Sequence, residues 1–245
     1  MDNSINDTSD QKNYQIAQND HELFDVYPSP PSPSHYNRLI TPAWGDTYFP
    51  CPNPTGTTNT RRQIHRQGDW HRSVQVWIAQ RVSHGANNST IRVLLQRRSR
   101  YKDTHPNLLD VSCAGHVDAG ENIIDCAYRE LREELGGLSD VLHQYTHDDL
   151  TRGKAFVVTS SIQGETKQFG SFICNEYQDV FILWWKDDNV LMEAHMFAPM
   201  NNTEVEGFEV VDGRDLIQRL RRGDEELVPH SMEYVDALAR AFSLE

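Results

Sequence analysis

Residues 115–136 read GHVDAGENIIDCAYRELREELG, and this stretch decides the fold. Its spacing predicts a helix over Asn122 to Leu135. Ile124, Ala127, Leu131 and Leu135 fall on one stripe suited to burial, while Glu130, Glu133 and Glu134, at i, i+3 and i+4, share a different face. Three like charges within one turn repel, at a cost of roughly a few tenths of a kcal/mol per pair on an exposed helix. A hard divalent cation removes that repulsion, because Mg²⁺ prefers carboxylate oxygens and keeps several of its waters. Taken alone, the triplet also reads as a solvated acidic face balanced by Arg129 and Arg132.

Working outward, Val74, Val76 and Ile78 alternate with Ser73, Gln75 and Trp77, which predicts a strand. The polar run His84 to Asn88 predicts a turn, Ile91 to Leu95 a returning strand, and Leu109 to Ala114 a third. Ala155 to Ile162, Gly170 to Ile173 and Asp179 to Trp185 are further strand candidates, with breaks near Gly164 and Asn175. Helical spacing recurs over Arg214 to Leu220 and Ser231 to Phe242. The latter sets Met232, Val235, Leu238, Ala239 and Phe242 on one stripe for packing onto the domain.

At 245 residues, 38% of them hydrophobic, the chain suits one globular domain with a tail. Residues 1–20 are polar and aromatic-poor, and are expected to be disordered. Residues 21–60 hold a first strand, Glu22 to Tyr27, and the insertion Pro28-Ser29-Pro30-Pro31-Ser32-Pro33, which favours polyproline II. That run reads as a linker, or as a ligand for an aromatic groove on a partner. Residues 61–245 form the main domain. Cys51, Cys113, Cys126 and Cys174 lack paired Cys-x-x-Cys spacing and read as reduced thiols. With no signal or transit pattern and no long apolar run, a cytoplasmic location is expected. The net charge of −13 disfavours nucleic acid and acidic membranes as partners, so an anionic substrate needs local positive charge.

Gly115, Glu121, Arg129, Glu130, Leu131, Glu133, Glu134 and Gly136 together match Gly-x5-Glu-x7-Arg-Glu-(aliphatic)-x-Glu-Glu-x-Gly, a pattern whose chance occurrence is roughly one in 10⁸ windows. The chain therefore resembles the Nudix hydrolase family. One departure is Gly137 at the closing aliphatic position, with Leu138 one residue late. The resemblance implies an α/β fold, the Nudix-type α/β/α sandwich with a central mixed β-sheet. It also implies Mg²⁺- or Mn²⁺-dependent hydrolysis of a small-molecule diphosphate. Glu130, Glu133 and Glu134 would be metal ligands, with Glu130 also a candidate base. The carbonyl of Ala114 would join them, Arg129 would orient the glutamates, and Gly115, Glu121 and Gly136 would be structural.

Residues 68–78, 94–98, 110–116 and 175–180 extend the resemblance to the isopentenyl-diphosphate isomerase-like branch. True isomerases of that branch carry a cysteine immediately before the Gly-His pair, where this chain has Ala114. Cys113 is adjacent but should point to the opposite face of its strand. Glu176 matches a distal glutamate, a further metal ligand or acid–base group. His71 and His116 match histidines of the isomerase metal site, and His65 and Gln75 carry weaker claims. Arg92, Arg97, Arg98, Arg100 and Lys102 form a cationic cluster, from which Arg98 and Lys102 are expected to grip diphosphate. Trp70, Trp77, Trp184 and Trp185 are core residues or a stacking surface. Three functions stay open: diphosphate hydrolysis, isomerase-like chemistry, and a non-catalytic binding module. The substrate is a nucleoside diphosphate derivative or an isoprenoid diphosphate, and a homodimer is compatible with the sequence.

Overall fold

The rest of the domain is built on a strand apolar on both faces, β4 (Trp70–Ser83). Val74, Val76 and Ile78 are buried on one side and Trp77 and Ala79 on the other, so it must be covered twice. The computed structural model describes residues 19–35, 37–41, 51–85, 88–102, 104–135, 145–166, 170–187, 189–199 and 203–244. In it β4 pairs antiparallel with β5 (Ser89–Arg98) and β7 (Cys113–His116), and parallel with β9 (Gly170–Trp184). Outward from β5 lie β10 (Val205–Asp212) and the two-residue β6 (Leu109–Asp110). Outward from β9 lie β8 (Lys154–Thr166) and β2 (Leu39–Thr41). The sheet has eight strands and is mixed.

Helices cover both faces. α2 (Ile123–Glu134) and α3 (His147–Gly153) pack on the Val74–Val76–Ile78 side through Cys126, Ala127, Leu131 and Leu150. α4 (Gly213–Arg221) and α5 (Met232–Ala241) cover the Trp77–Ala79 side through Leu216, Ile217, Val235 and Leu238. The architecture is the expected α/β/α sandwich. Among the described residues no helix is long and apolar enough to cross a membrane.

Several expectations change. The strand predicted over Leu109 to Ala114 is two short pieces, because Ser112 turns its hydroxyl to the Leu94 carbonyl at 2.6 Å and takes the Ile78 N–H at 2.8 Å. Gly164 and Asn175 do not break their strands; both lie inside the long hairpin of β8 and β9, where Ser161 pairs with Asn175. Met232 is exposed, while its stripe-mates Val235, Leu238, Ala239 and Phe242 are buried. Trp70, Trp77 and Trp185 are buried, and Trp184 lies under the Arg81 guanidinium. Gly136 to Leu138, most of the 1–20 tail and residues 42–50 lie outside the described residues.

Two short strands and the helix that follows build a small platform beside the sandwich. β1 (Leu23–Asp25) pairs with β3 (Thr58–Thr60), and α1 (Arg61–Gln67) follows directly. Thr60 and Gln63 close a capping box at the start of α1, and Gly68 ends it in the left-handed region at φ 72°. β1 also grips the loop before α2: the Ala119 N–H donates to the Leu23 carbonyl at 2.7 Å and the Gly120 N–H to Asp25 at 2.9 Å. The proline-rich run crosses β9, where the Tyr177 hydroxyl donates to the Pro28 carbonyl at 2.8 Å.

On the other side of β4, Tyr234 of α5 ties the layers together. Its hydroxyl accepts from the Trp77 indole N–H at 2.8 Å and donates to the Gln75 side-chain oxygen. Tyr234→Phe should leave both partners buried and unpaired and cost about 2 kcal/mol, read as a shift in the urea midpoint at constant slope.

Candidate functional site

α2 enters through Asn122, whose side-chain oxygen accepts the Ile124 N–H at 2.8 Å. From it Arg129 reaches back to the loop. Its Nε and Nη2 donate to the two oxygens of Glu121, each at 2.9 Å. Its Nη2 also donates to the His116 carbonyl at 3.1 Å, while Nη1 bridges Glu130 at 2.6 Å and Glu133 at 3.3 Å. Glu121 itself accepts the Asp118 N–H at 3.0 Å. One guanidinium thus fixes the loop, the helix and two carboxylates of the triplet relative to one another.

The three glutamates share a helical face but not an environment. Glu133 is 58% exposed, whereas the Glu134 residue is 2% exposed. Glu130 fills the space over Gly115: a Cβ on that glycine would lie 1.9 Å from the Glu130 carboxyl carbon. One Glu134 oxygen accepts the Ala114 N–H at 3.0 Å and the Gln96 amide at 3.2 Å. Its other oxygen, Oε1, is buried with no hydrogen-bond partner among the described residues, as is the Gln96 side-chain oxygen. Burial, followed by repulsion from neighbouring carboxylates including Glu204, pushes the Glu130 and Glu134 carboxyls above the ordinary range, although Arg129 and Lys102 pull the other way. An orphaned buried oxygen beside crowded carboxylates is a donor set a hard divalent cation fits. Glu130, Glu133 and Glu134 are the groups placed to hold one, with the backbone at Ala114 alongside.

A second cluster lies next to it. Ligand atoms of His65, His71, His116 and Cys174 fall within 4.8 Å of one another. His116 Nε2 donates to Glu176 at 3.0 Å, and Arg61 donates to His116 Nδ1 at 3.0 Å, an arrangement that fixes a neutral ring. Burial drives the His116 pKa down to about 3 and that of His65 to about 2, with neighbouring positive charge adding to the shift. His65 Nε2 is buried without a partner. Glu176 is held well below the carboxylate range in spite of its burial, by the hydrogen bond from His116 and by His71, whose Nε2 lies 3.7 Å away. The Cys174 thiol donates to Glu176 at 3.3 Å. Phe24 of β1 stacks on His116, ring centres 4.9 Å apart, and on His71 at 5.8 Å. Three imidazoles, a thiol and a carboxylate make a donor set suited to a softer cation such as Zn²⁺.

Both clusters open on one cleft of about 1110 Å³. Its floor is polar, with Ser73, Gln75, Thr159 and Gln178 on adjacent strands. Ala114 faces this cleft, while Cys113 is buried on the opposite side, as strand alternation predicts. The expected cationic grip is different from the reading above. Arg98 and Lys102 do line the cleft, but Arg98 pairs with Asp110 at 2.8 Å and Lys102 with Glu204 at 2.6 Å. Arg92, Arg97 and Arg100 pair with Glu193, Glu209 and Glu206. The reason is topological: β10 and its preceding turn lie along β5 and bring Glu204, Glu206 and Glu209 against the cluster. Glu204, missed from sequence because it sits about 70 residues beyond the glutamate triplet, shares the cleft wall with Glu130 and Glu133. Arg61, Arg62 and Arg66 were also missed. The Thr60–Gln63 capping box is the signal that would have placed α1 and its arginines.

The NUDIX domain family model matches residues 70–230. "Nudix hydrolase 3" of Arabidopsis thaliana is 38% identical over 129 residues, 53% of this chain and 14% of that protein. An isopentenyl-diphosphate Delta-isomerase of Ruegeria pomeroyi is 24% identical over 195 residues, 78% of this chain and 86% of that one. The crystal structure of a Deinococcus radiodurans protein aligns with TM-score 0.43 and 16% identity, covering 90% of this chain and 99% of the other. The chain spans about one seventh of the Arabidopsis relative, 14% of its length, and belongs to the Nudix family.

Two outcomes follow from the geometry. Gly115→Ala should evict Glu130 from its place and abolish high-affinity Mg²⁺ binding, read by calorimetry, since the collision is with the carboxyl group itself. In metal-free protein, folded Glu134 holds its proton more tightly than the unfolded chain does. That contribution favours folding at low pH and is lost as pH rises above the ordinary glutamate value of 4.5. The buried neutral histidines act oppositely, stabilising above 6.5 and losing that contribution as pH falls. Subtracting the Glu134→Gln stability–pH profile from that of the wild type should therefore leave a difference that becomes steadily less favourable to the wild type as pH increases. A flat difference would contradict the assignment.

Proposed function

We propose that this Nudix chain is a divalent-metal-dependent hydrolase that cleaves a diphosphate bond in a small molecule, a nucleoside diphosphate derivative or an isoprenoid diphosphate. The observation that carries this reading is Glu130 and Glu133 at the wall of a cleft large enough for such a ligand, with Glu134 and its orphaned oxygen buried behind them. Glu130, Glu133 and Glu134 would hold Mg²⁺ or Mn²⁺, with the backbone of Ala114 completing the set. When bound, the ion supplies Lewis acidity toward phosphoryl oxygens and lowers the pKa of water.

The chain's own residues then have distinct tasks. Arg129 keeps Glu130 and Glu133 aimed together, because its guanidinium is anchored on Glu121. Glu130 is the candidate base: burial raises its proton affinity toward the neutral range, where a general base works best. Arg98 and Lys102 line the cleft as ion pairs, so they act on an entering diphosphate by exchanging Asp110 and Glu204 for phosphate oxygens. His116 and Glu176 border the same space, with His71 buried behind them, and the group binds substrate or a second cation.

A second reading, isomerase-like proton transfer at carbon, has the contact between Cys174 and Glu176 in its favour. Against it, Ala114 offers no acid–base group at the cleft, and Cys113 is buried away from it. The Glu133→Gln/Glu134→Gln double variant should keep its fold by circular dichroism and lose at least about a thousandfold in phosphate release across a panel of diphosphates with Mg²⁺ or Mn²⁺. Retained turnover would overturn the hydrolase reading. Product mass and deuterium uptake from D₂O, scored on the same panel, would report isomerisation instead.

A further inference from the structure

The cleft's positive charge is unevenly committed. Arg98, Lys102 and Arg129 are each paired with carboxylates, and Arg61 is engaged by His116 and, at 3.5 Å, by Glu22. Arg62 and Arg66 differ. Both line the cleft, both are exposed, and neither makes an ion pair with a carboxylate among the described residues. They stand four residues apart on α1, one helical turn, so their side chains project side by side. On a chain with 36 acidic and 23 basic residues, an adjacent pair of uncompensated arginines in a cleft is an electrostatic exception.

α1 is also held rigidly. Ile64 is fully buried, the capping box fixes one end and left-handed Gly68 the other. Arg61, next along the helix, bonds His116, whose carbonyl in turn receives Arg129. The free pair therefore sits on the rim beside both clusters, two hydrogen-bonded links from the residue that orients the box glutamates.

We propose that Arg62 and Arg66 form a subsite for a second anionic group of the substrate, a monophosphate carried apart from the diphosphate that is cleaved. The pitch of one turn, about 5.4 Å, lets two guanidinium forks converge on one phosphate, and arginine matches phosphate oxygens in pairs. The subsite deepens the diphosphate-hydrolase reading and rests on it. It selects nucleoside diphosphate derivatives that bear a ribose phosphate over those that lack it, and over isoprenoid diphosphates, which have no third phosphate to offer.

Matched compounds test it. Coenzyme A and dephospho-coenzyme A differ by one ribose phosphate, as do NADPH and NADH. The phosphorylated member of at least one pair should be preferred by about tenfold in kcat/KM, through KM rather than kcat. Arg62→Ala/Arg66→Ala should erase that preference, leaving kcat/KM for the unphosphorylated member within about threefold. Arg62→Lys/Arg66→Lys should restore part of it, since the charge returns without the fork. Equal turnover of both members, or equal loss on both in the double variant, would overturn the proposal. Should neither pair be hydrolysed, calorimetric dissociation constants for the same four compounds decide. A preference of about tenfold that vanishes in the alanine variant sustains the subsite even if the hydrolase reading fails, and its absence refutes it.

Discussion

The guanidinium of Arg129 is the constraint on which the site depends. It satisfies both oxygens of Glu121, reaches the His116 carbonyl and bridges Glu130 to Glu133. A loop and a helix that would otherwise move independently become one unit. That unit brings Glu130 into the space left open by Gly115 and Glu134 onto the N–H of Ala114. Without the ion pair, crowded carboxylates half-withdrawn from water would repel and splay. With it, their repulsion is stored in a form a cation can relieve.

The platform of β1, β3 and α1 gives the cleft its second character. Phe24 stacks on His71 and His116, and Arg61 takes the lone pair of His116, so that ring stays neutral in a strongly acidic protein. Glu176 keeps its charge beneath them because donors hold it: the His116 ring, Ser73, Gln178 and the Cys174 thiol. Two donor sets of different chemistry therefore share one cavity: oxygen-rich at α2, nitrogen- and sulfur-rich at the platform. Their separation is a consequence of β7, where Ala114 and His116 face the cleft and Gly115 opens toward α2.

Local sequence clusters of charge proved a poor guide to free charge. Five cations between Arg92 and Lys102 look like an anion grip, yet each meets a carboxylate, most of them delivered from some hundred residues away by β10 and the turn before it. The two arginines of the cleft wall without such partners among the described residues, Arg62 and Arg66, lie on a short helix that the sequence reading passed over.

By itself the sequence determined the glutamate-bearing helix, its buried stripe, the alternation of β4 and the family resemblance, because each rests on spacing within one element. The packing of Ile124 and Leu131, the cap at Asn122 and the opposed faces of Cys113 and Ala114 are all local consequences of period. What only the tertiary structure decided was the state of each charged group: Glu134 buried and half-satisfied, Glu133 in water, Arg98 and Lys102 neutralised, His65, His71, His116 and Cys174 gathered from four elements. The physical reason is that burial and ion pairing depend on neighbours far apart in the chain, and pairing across a sheet is set by register, which no short window of residues contains.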